Sequence, residues 1–119
     1  VTTRAQVHVF ACLGRFRSLA DLRAYLDPMW TEDGDELDSP FMEAVGLSDY
    51  EPMCIEAVCF DHPLPLGDAL AGVSYCEQWG GAVQQERLVD AVVCVFSPNR
   101  VARPEGSRLD WVGCFSYMT

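Results

Sequence analysis

From Gln6 to Leu13 the chain alternates, with Val7, Val9, Ala11 and Leu13 on one face and His8, Phe10 and Cys12 on the other. Neither face is strongly polar, so the pattern predicts a strand interior to a sheet. Gly14 ends it. Ser18-x-x-Asp21 reads as a variant capping box, and Leu19, Leu22, Tyr25 and Leu26 follow at helical spacing. That predicts a helix over 19–26, with Pro28 just beyond its end. Residues 27–38 have no apolar period and predict an acidic loop holding Trp30 and Gly34. Ser39-Pro40 restarts a helix, a cap followed by proline at the first position where its missing N–H costs nothing. This second helix stops near Gly46, and Tyr50 follows in a connecting turn.

Cys54–Phe60 predicts the next strand, with Ile55, Ala57 and Cys59 opposite Glu56 and Val58. His62-Pro63-Leu64-Pro65 is expected to break it in a rigid turn. Leu66–Val73 reads as a helical turn weakened by Gly67 and Gly72. Ser74–Val89 reads as a longer helix, with Gly80-Gly81 marking a kink or break because each glycine costs about 1 kcal/mol relative to alanine. Asp90–Ser97 is apolar on both faces and predicts a central strand. A loop with Pro98, Pro104 and Gly106 leads to a closing strand, Leu109–Met118, in which Leu109, Trp111, Gly113, Phe115 and Tyr117 are expected to face one way. The order is β-α-α-β-α-α-β-β. It predicts an α+β fold with a four-stranded mixed or mostly antiparallel sheet, the helices on one side of it, and the last two strands joined as an extended hairpin.

The chain has 119 residues, half of them apolar, which is the size of one domain spanning 1–119 with a real core. Its longest apolar run, Ala91–Phe96, is six residues, far short of the roughly 20 that cross a bilayer. With no signal peptide visible at Val1-Thr2-Thr3-Arg4, the expected location is cytoplasmic and the expected compartment reducing. The six cysteines have no Cys-x-x-Cys spacing. Cys12, Cys54, Cys59, Cys94 and Cys114 lie in predicted strands, so they read as buried free thiols rather than a disulfide framework.

Charge narrows the function. All eight basic residues are arginines, set against eighteen acids, for a net charge of −10. Between Arg23 and Arg87 there is no basic residue and there are fourteen acids. Such a middle repels a phosphate backbone, which argues against nucleic acid, and it favours a partner with a basic surface. The same charge also serves plain solubility. The arginines of Arg100–Arg108 either touch a partner or pair with the acidic half.

Catalytic signals are thin. His8 sits in a strand beside Phe10 and reads as a satisfied sheet residue. His62 adjoins Asp61, and Cys59-x-x-His62 is the nearest approach to a ligand pair, without a second half. These three are the candidates for an alternative small enzyme or metal-dependent domain. Asp33-Gly34-Asp35-Glu36-Leu37-Asp38 does not match the EF-hand register, and Gly80-Gly81 does not match a phosphate-binding loop. The pattern calls for no cofactor and no metal. The feature that stands out is aromatics interleaved with acids: Trp30, Glu32, Asp33, Asp35, Glu36 and Asp38, then Phe41, Tyr50 and Glu51. Aromatic anchors supply contact area and acids supply steering, so this set is the candidate partner-binding site. Against it, Phe41 and Tyr50 also fit a core role, and exposed aromatics also fit a self-associating module or homo-oligomer.

Several short pieces carry a family likeness: Val7-His8-Val9-Phe10 with Gly14 and Phe16, Ser39-Pro40-Phe41, the Gly46…Tyr50 spacing, Glu56, Ser74-Tyr75, and Trp111-Val112-Gly113-Cys114-Phe115-Ser116-Tyr117. With these the chain resembles the bacterial immunity protein 22 family, encoded beside polymorphic toxins. The resemblance implies a protein that binds and neutralises a cognate toxin inside the producing cell, without catalysis. The cysteines and the number of arginines depart from the expected pattern, which leaves the toxin and the binding face open.

Overall fold

The computed structural model describes residues 2–119. Its main sheet has four strands, β1 (Arg4–Cys12), β5 (Ile55–Pro65), β6 (Leu88–Phe96) and β8 (Asp110–Met118), in the spatial order β5-β6-β1-β8 and antiparallel throughout. The two segments that are apolar on both faces, β1 and β6, occupy the interior, as their patterns require. Val93 stands opposite Phe10 and Cys94 opposite Val9 along this central pair. The expected hairpin between the last two strands does not form. The chain leaving β6 crosses β1, and β8 pairs with the far side of β1, which also ties the two ends of the chain together.

Helices cover both faces of the sheet, not one. On one face, α1 (Leu19–Leu26) and α2 (Pro40–Val45) bury Leu22, Tyr25, Leu26, Phe41 and Val45 against Phe10, Ala91, Val93 and Val95. On the other, the segment from α3 (Leu66–Ala69) through α4 (Cys76–Trp79) buries Leu66, Leu70, Val73 and Trp79 against Val7, Val9, Val92, Cys94 and Phe96. A strand that is apolar on both sides needs cover on both sides, and the chain supplies it from separate segments.

The local signals decide the lengths of these helices. The Ser18 hydroxyl accepts from the Asp21 N–H at 3.1 Å, and the Asp21 carboxylate accepts from the Arg17 N–H at 2.9 Å. At α2 the Ser39 hydroxyl accepts from the Met42 N–H, while the Met42 sulfur accepts from the Ser39 N–H. The long helix expected over 74–89 shrinks to the single turn α4 and a 3-10 turn over 80–82. Gly80-Gly81 breaks it, and Tyr75 enters with a left-handed φ of 59° instead of a side-chain cap.

Two strand readings also change. β5 runs through Pro63 and Pro65, with an irregularity between Cys59 and Leu64, where a turn was expected. An edge strand tolerates proline because its outward N–H has no partner to lose. In β8, Val9 pairs with Gly113 but Phe10 pairs with Trp111, so Val112 is an extra residue. This bulge switches faces within the strand. Leu109 and Trp111 pack on the α1–α2 side, whereas Phe115 and Tyr117 pack on the other.

The short strand β4 (Leu47–Ser48) pairs with β7 (Arg100–Val101), inside what read as a plain loop. Gly106 lies so close to the Ala44 carbonyl that any Cβ there would collide with it. The acidic stretch likewise holds a hairpin of β2 (Met29–Trp30) and β3 (Glu36–Leu37).

Candidate functional site

The β2–β3 hairpin is built by its own turn chemistry. The Thr31 N–H donates to the Asp35 carbonyl at 2.9 Å, the Gly34 N–H to the Thr31 carbonyl at 3.0 Å, and the Asp35 N–H to the Thr31 hydroxyl at 3.0 Å. Three residues, Glu32, Asp33 and Gly34, form the tip. Gly34 has φ 85°, the left-handed position with which such three-residue loops close.

Almost nothing packs on this hairpin. Glu32, Asp33, Asp35, Glu36 and Asp38 are exposed, and so are Met29, Leu37 and Trp30, the last at 66 %. Met29 stands opposite Leu37, and Trp30 opposite Glu36. Both sides therefore present an apolar side chain to solvent, with carboxylates around the tip. Among the described residues none of these five carboxylates is within ion-pairing distance of an arginine.

Tyr50 and Glu51 belong to the base of the site. Buried Asn99 holds this stretch: its side-chain oxygen accepts from the Glu51 N–H at 2.8 Å, and its amide nitrogen donates to the Glu51 and Phe96 carbonyls. Tyr50 is half-buried in a shallow crevice with Leu26, Asp27, Phe41 and Ile55. Burial raises its phenol pKa, and the nearby carboxylates of Asp27 and Glu36 push the same way. Hairpin and turn thus share one acidic neighbourhood on the side of the molecule that carries β5. Phe41 is not part of the exposed set. It is buried, edge-on to Phe10 at 5.3 Å and to Tyr25 at 6.0 Å, and forms the floor beneath the site.

Sequence reasoning missed three members. Met29 and Leu37 flank the acids and were invisible until the hairpin register paired them. Met53, 87 % exposed in the Pro52–Cys54 turn, extends the apolar rim beyond Glu51. The only available signal was large apolar residues in stretches with no period.

The arginines of the C-terminal loop are exposed but find partners within the chain. Arg103 donates to the Glu43 carbonyl at 2.8 Å, and Arg100 pairs with Asp49 at 3.1 Å. Arg108 lies over the rings of Phe16 and Tyr25, with centroid distances of 4.5 and 5.2 Å. Arg15 and Arg87 both hold Asp110, at 2.9 and 2.6 Å, and Arg15 above all keeps that carboxyl below its usual range.

The alternative constellation is not assembled into a pocket. The Asp61 carboxylate meets His62 Nδ1 at 2.7 Å, which lowers the Asp61 pKa, but the two side chains are 95 % and 71 % exposed. Cys59 turns away, towards the α1–α2 core cluster. No group of three or more His, Cys, Asp or Glu with ligand geometry occurs among the described residues. His8 is half-buried and accepts at Nδ1 from the Trp111 indole N–H at 3.3 Å, and burial lowers its pKa. It borders a cleft of about 670 Å³ between Arg4, Gln6 and Asn99.

The thiols divide by depth. Cys12 and Cys94 are buried, and burial pushes the Cys12 thiol up to about 11. Cys54 and Cys59 are only partly covered, and Cys114 is exposed on β8, contrary to the expectation of five core thiols. Among the described residues no helix is long and apolar enough to cross a membrane.

Searches of curated proteins and of solved structures returned no match. A family model described as Immunity protein 22 matches residues 9–118, which takes in β5, β6, β8, the second half of β1 and the whole acidic hairpin. The chain belongs to the Immunity protein 22 family.

Proposed function

We propose that this chain, working as one domain over residues 1–119 in the cytoplasm of a bacterium, neutralises a cognate toxin by tight, non-catalytic binding. An immunity role follows from the family. The observation that supports the mode of action is the projecting hairpin: exposed Met29, Trp30 and Leu37 with five carboxylates that pair with no arginine among the described residues. Unpaired surface charge is field available to a partner, and a basic protein is drawn to it faster than diffusion alone allows. The exposed indole and the two apolar side chains would be the anchors, and Tyr50 and Glu51 the rim. Catalysis has no support in the Asp61–His62 contact, which solvent surrounds on both partners.

The test is rescue and titration with the protein encoded beside this gene. Toxicity relieved on co-expression, with a one-to-one complex whose association slows steeply with salt, is the expected result. Reversing charge at Asp33, Asp35 and Glu36 should slow association further. A salt-independent rate, indifferent to those changes, would remove the hairpin from the interface while leaving the immunity role standing.

A further inference from the structure

The two edges of the sheet are built differently. The β5 edge is interrupted between Cys59 and Leu64 and carries Glu56, Asp61, Pro63 and Pro65, all features that discourage another strand from adding. The β8 edge has neither a charged residue nor a proline from Trp111 to Met118.

Register fixes which backbone groups of β8 are free. The Thr119 N–H donates to the Thr3 carbonyl, so in the antiparallel ladder Tyr117, Phe115 and Gly113 turn their N–H and C=O towards β1. Met118, Ser116 and Cys114 turn theirs outward. At Met118 the outward pair is taken: the Gln78 side-chain amide donates to its carbonyl and accepts from its N–H, both at 2.8 Å. That amide sits where the peptide of a fifth strand would. With Gln78 closing the Met118 end, the open stretch runs from Ser116 back to the bulge residue Val112. Its midpoint is Cys114, which is itself exposed.

We propose that this edge pairs with β8 of a second copy of the chain, antiparallel about a two-fold axis at Cys114, to make one continuous eight-stranded sheet. Pairing centred on Cys114 sets the outward groups of each copy against those of the other, with Ser116 opposite Val112. The stretch is symmetric in length about that point, so no overhang is forced. The nearest carboxylate along the strand, Asp110, is already held by Arg15 and Arg87, and the one cation that reaches this edge, Arg4, donates to the Ser116 hydroxyl at 3.3 Å. A basic partner is steered to the acidic hairpin, whereas an edge with no charged residue from Trp111 to Met118 suits a strand of the same kind, and residues 111–118 of a second copy are one. Because the β5 edge is blocked, addition stops at two copies and the assembly closes.

Light scattering of the full chain from micromolar to millimolar concentration should show a mass rising to twice that of one chain. Mild oxidation should cross-link the dimer, and Cys114→Ser should abolish the cross-link without abolishing the dimer. Cys114→Lys and Ser116→Lys, both at exposed positions, should each return the mass to that of a monomer; Cys114→Lys should do so with an unchanged melting temperature, whereas Ser116→Lys also removes the acceptor of the Arg4 guanidinium. A monomer at every concentration would overturn the proposal. So would a dimer that both lysine variants leave intact, since the contact would then lie elsewhere.

Discussion

Two groups of carboxylates in this protein have opposite surroundings. Asp110 is gripped by Arg15 and Arg87 and holds the start of β8 to the Gly14–Arg17 bend and the Arg87 approach to β6. The five acids of the β2–β3 hairpin are exposed, and among the described residues no arginine lies within ion-pairing distance of them. Both are made from the same residue types, so composition cannot separate them. The difference lies in what each does for the fold: the first closes it, and the second leaves its charge for something outside. The arginines make the same point, because those near the acidic half are spent on carbonyls, rings and single carboxylates within the chain.

The contrast can be broken in steps of decreasing size. Phe41→Ala removes the floor beneath Tyr50, at the base of the site, and should cost about 3–5 kcal/mol in urea unfolding. A loss under about 1 kcal/mol would mean that the hairpin does not stand on a rigid core. Trp30→Ala should leave stability unchanged within about 0.5 kcal/mol, yet weaken toxin binding by about 2 kcal/mol, roughly thirtyfold. Calorimetry that found binding intact would strip the indole of its anchoring role.

Asp110→Asn should cost no more than about 1 kcal/mol, because the pairs are partly solvated. Its pH signature is the sharper readout. The folded pKa is lowered, so the stabilisation is complete above the unfolded carboxylate value near 4 and is lost as pH falls through the folded value. The variant should therefore show a flatter decline of melting temperature with acid below about pH 4 than the parent chain. Smallest of all, Asp33→Asn with Asp35→Asn should change stability by less than about 0.5 kcal/mol. A clear destabilisation would show that these acids do structural work and would end the distinction.

The match between sequence and structure is best where a signal is local and strong. Ser18 and Ser39 start their helices where the caps placed them, and β1 and β6 are interior because neither offers a polar face. The readings that failed depended on context. Pro63 and Pro65 are strand residues only because β5 became an edge, and Ser74–Val89 lost its helix to two glycines that no neighbouring cap offset. Of the candidate site, the exposed acids and Trp30 were legible from composition. The hairpin that pairs Met29 with Leu37 was not, because a two-residue strand leaves too short an alternation to detect.

The sequence by itself determined the main helices and main-sheet strands up to the broken helix, the central strands, the acidic middle and the thin catalytic inventory. These follow from periodicity, capping and residue counts, which need no distant partner. Only the tertiary structure decided that β8 crosses to the far side of β1, that helices cover both faces, and which carboxylates are held and which are free. Each of those depends on residues far apart in the chain meeting in space, such as Arg15 with Asp110 or Asn99 with Glu51. No local pattern records such a meeting, because its free energy is gained only when the whole sheet has closed.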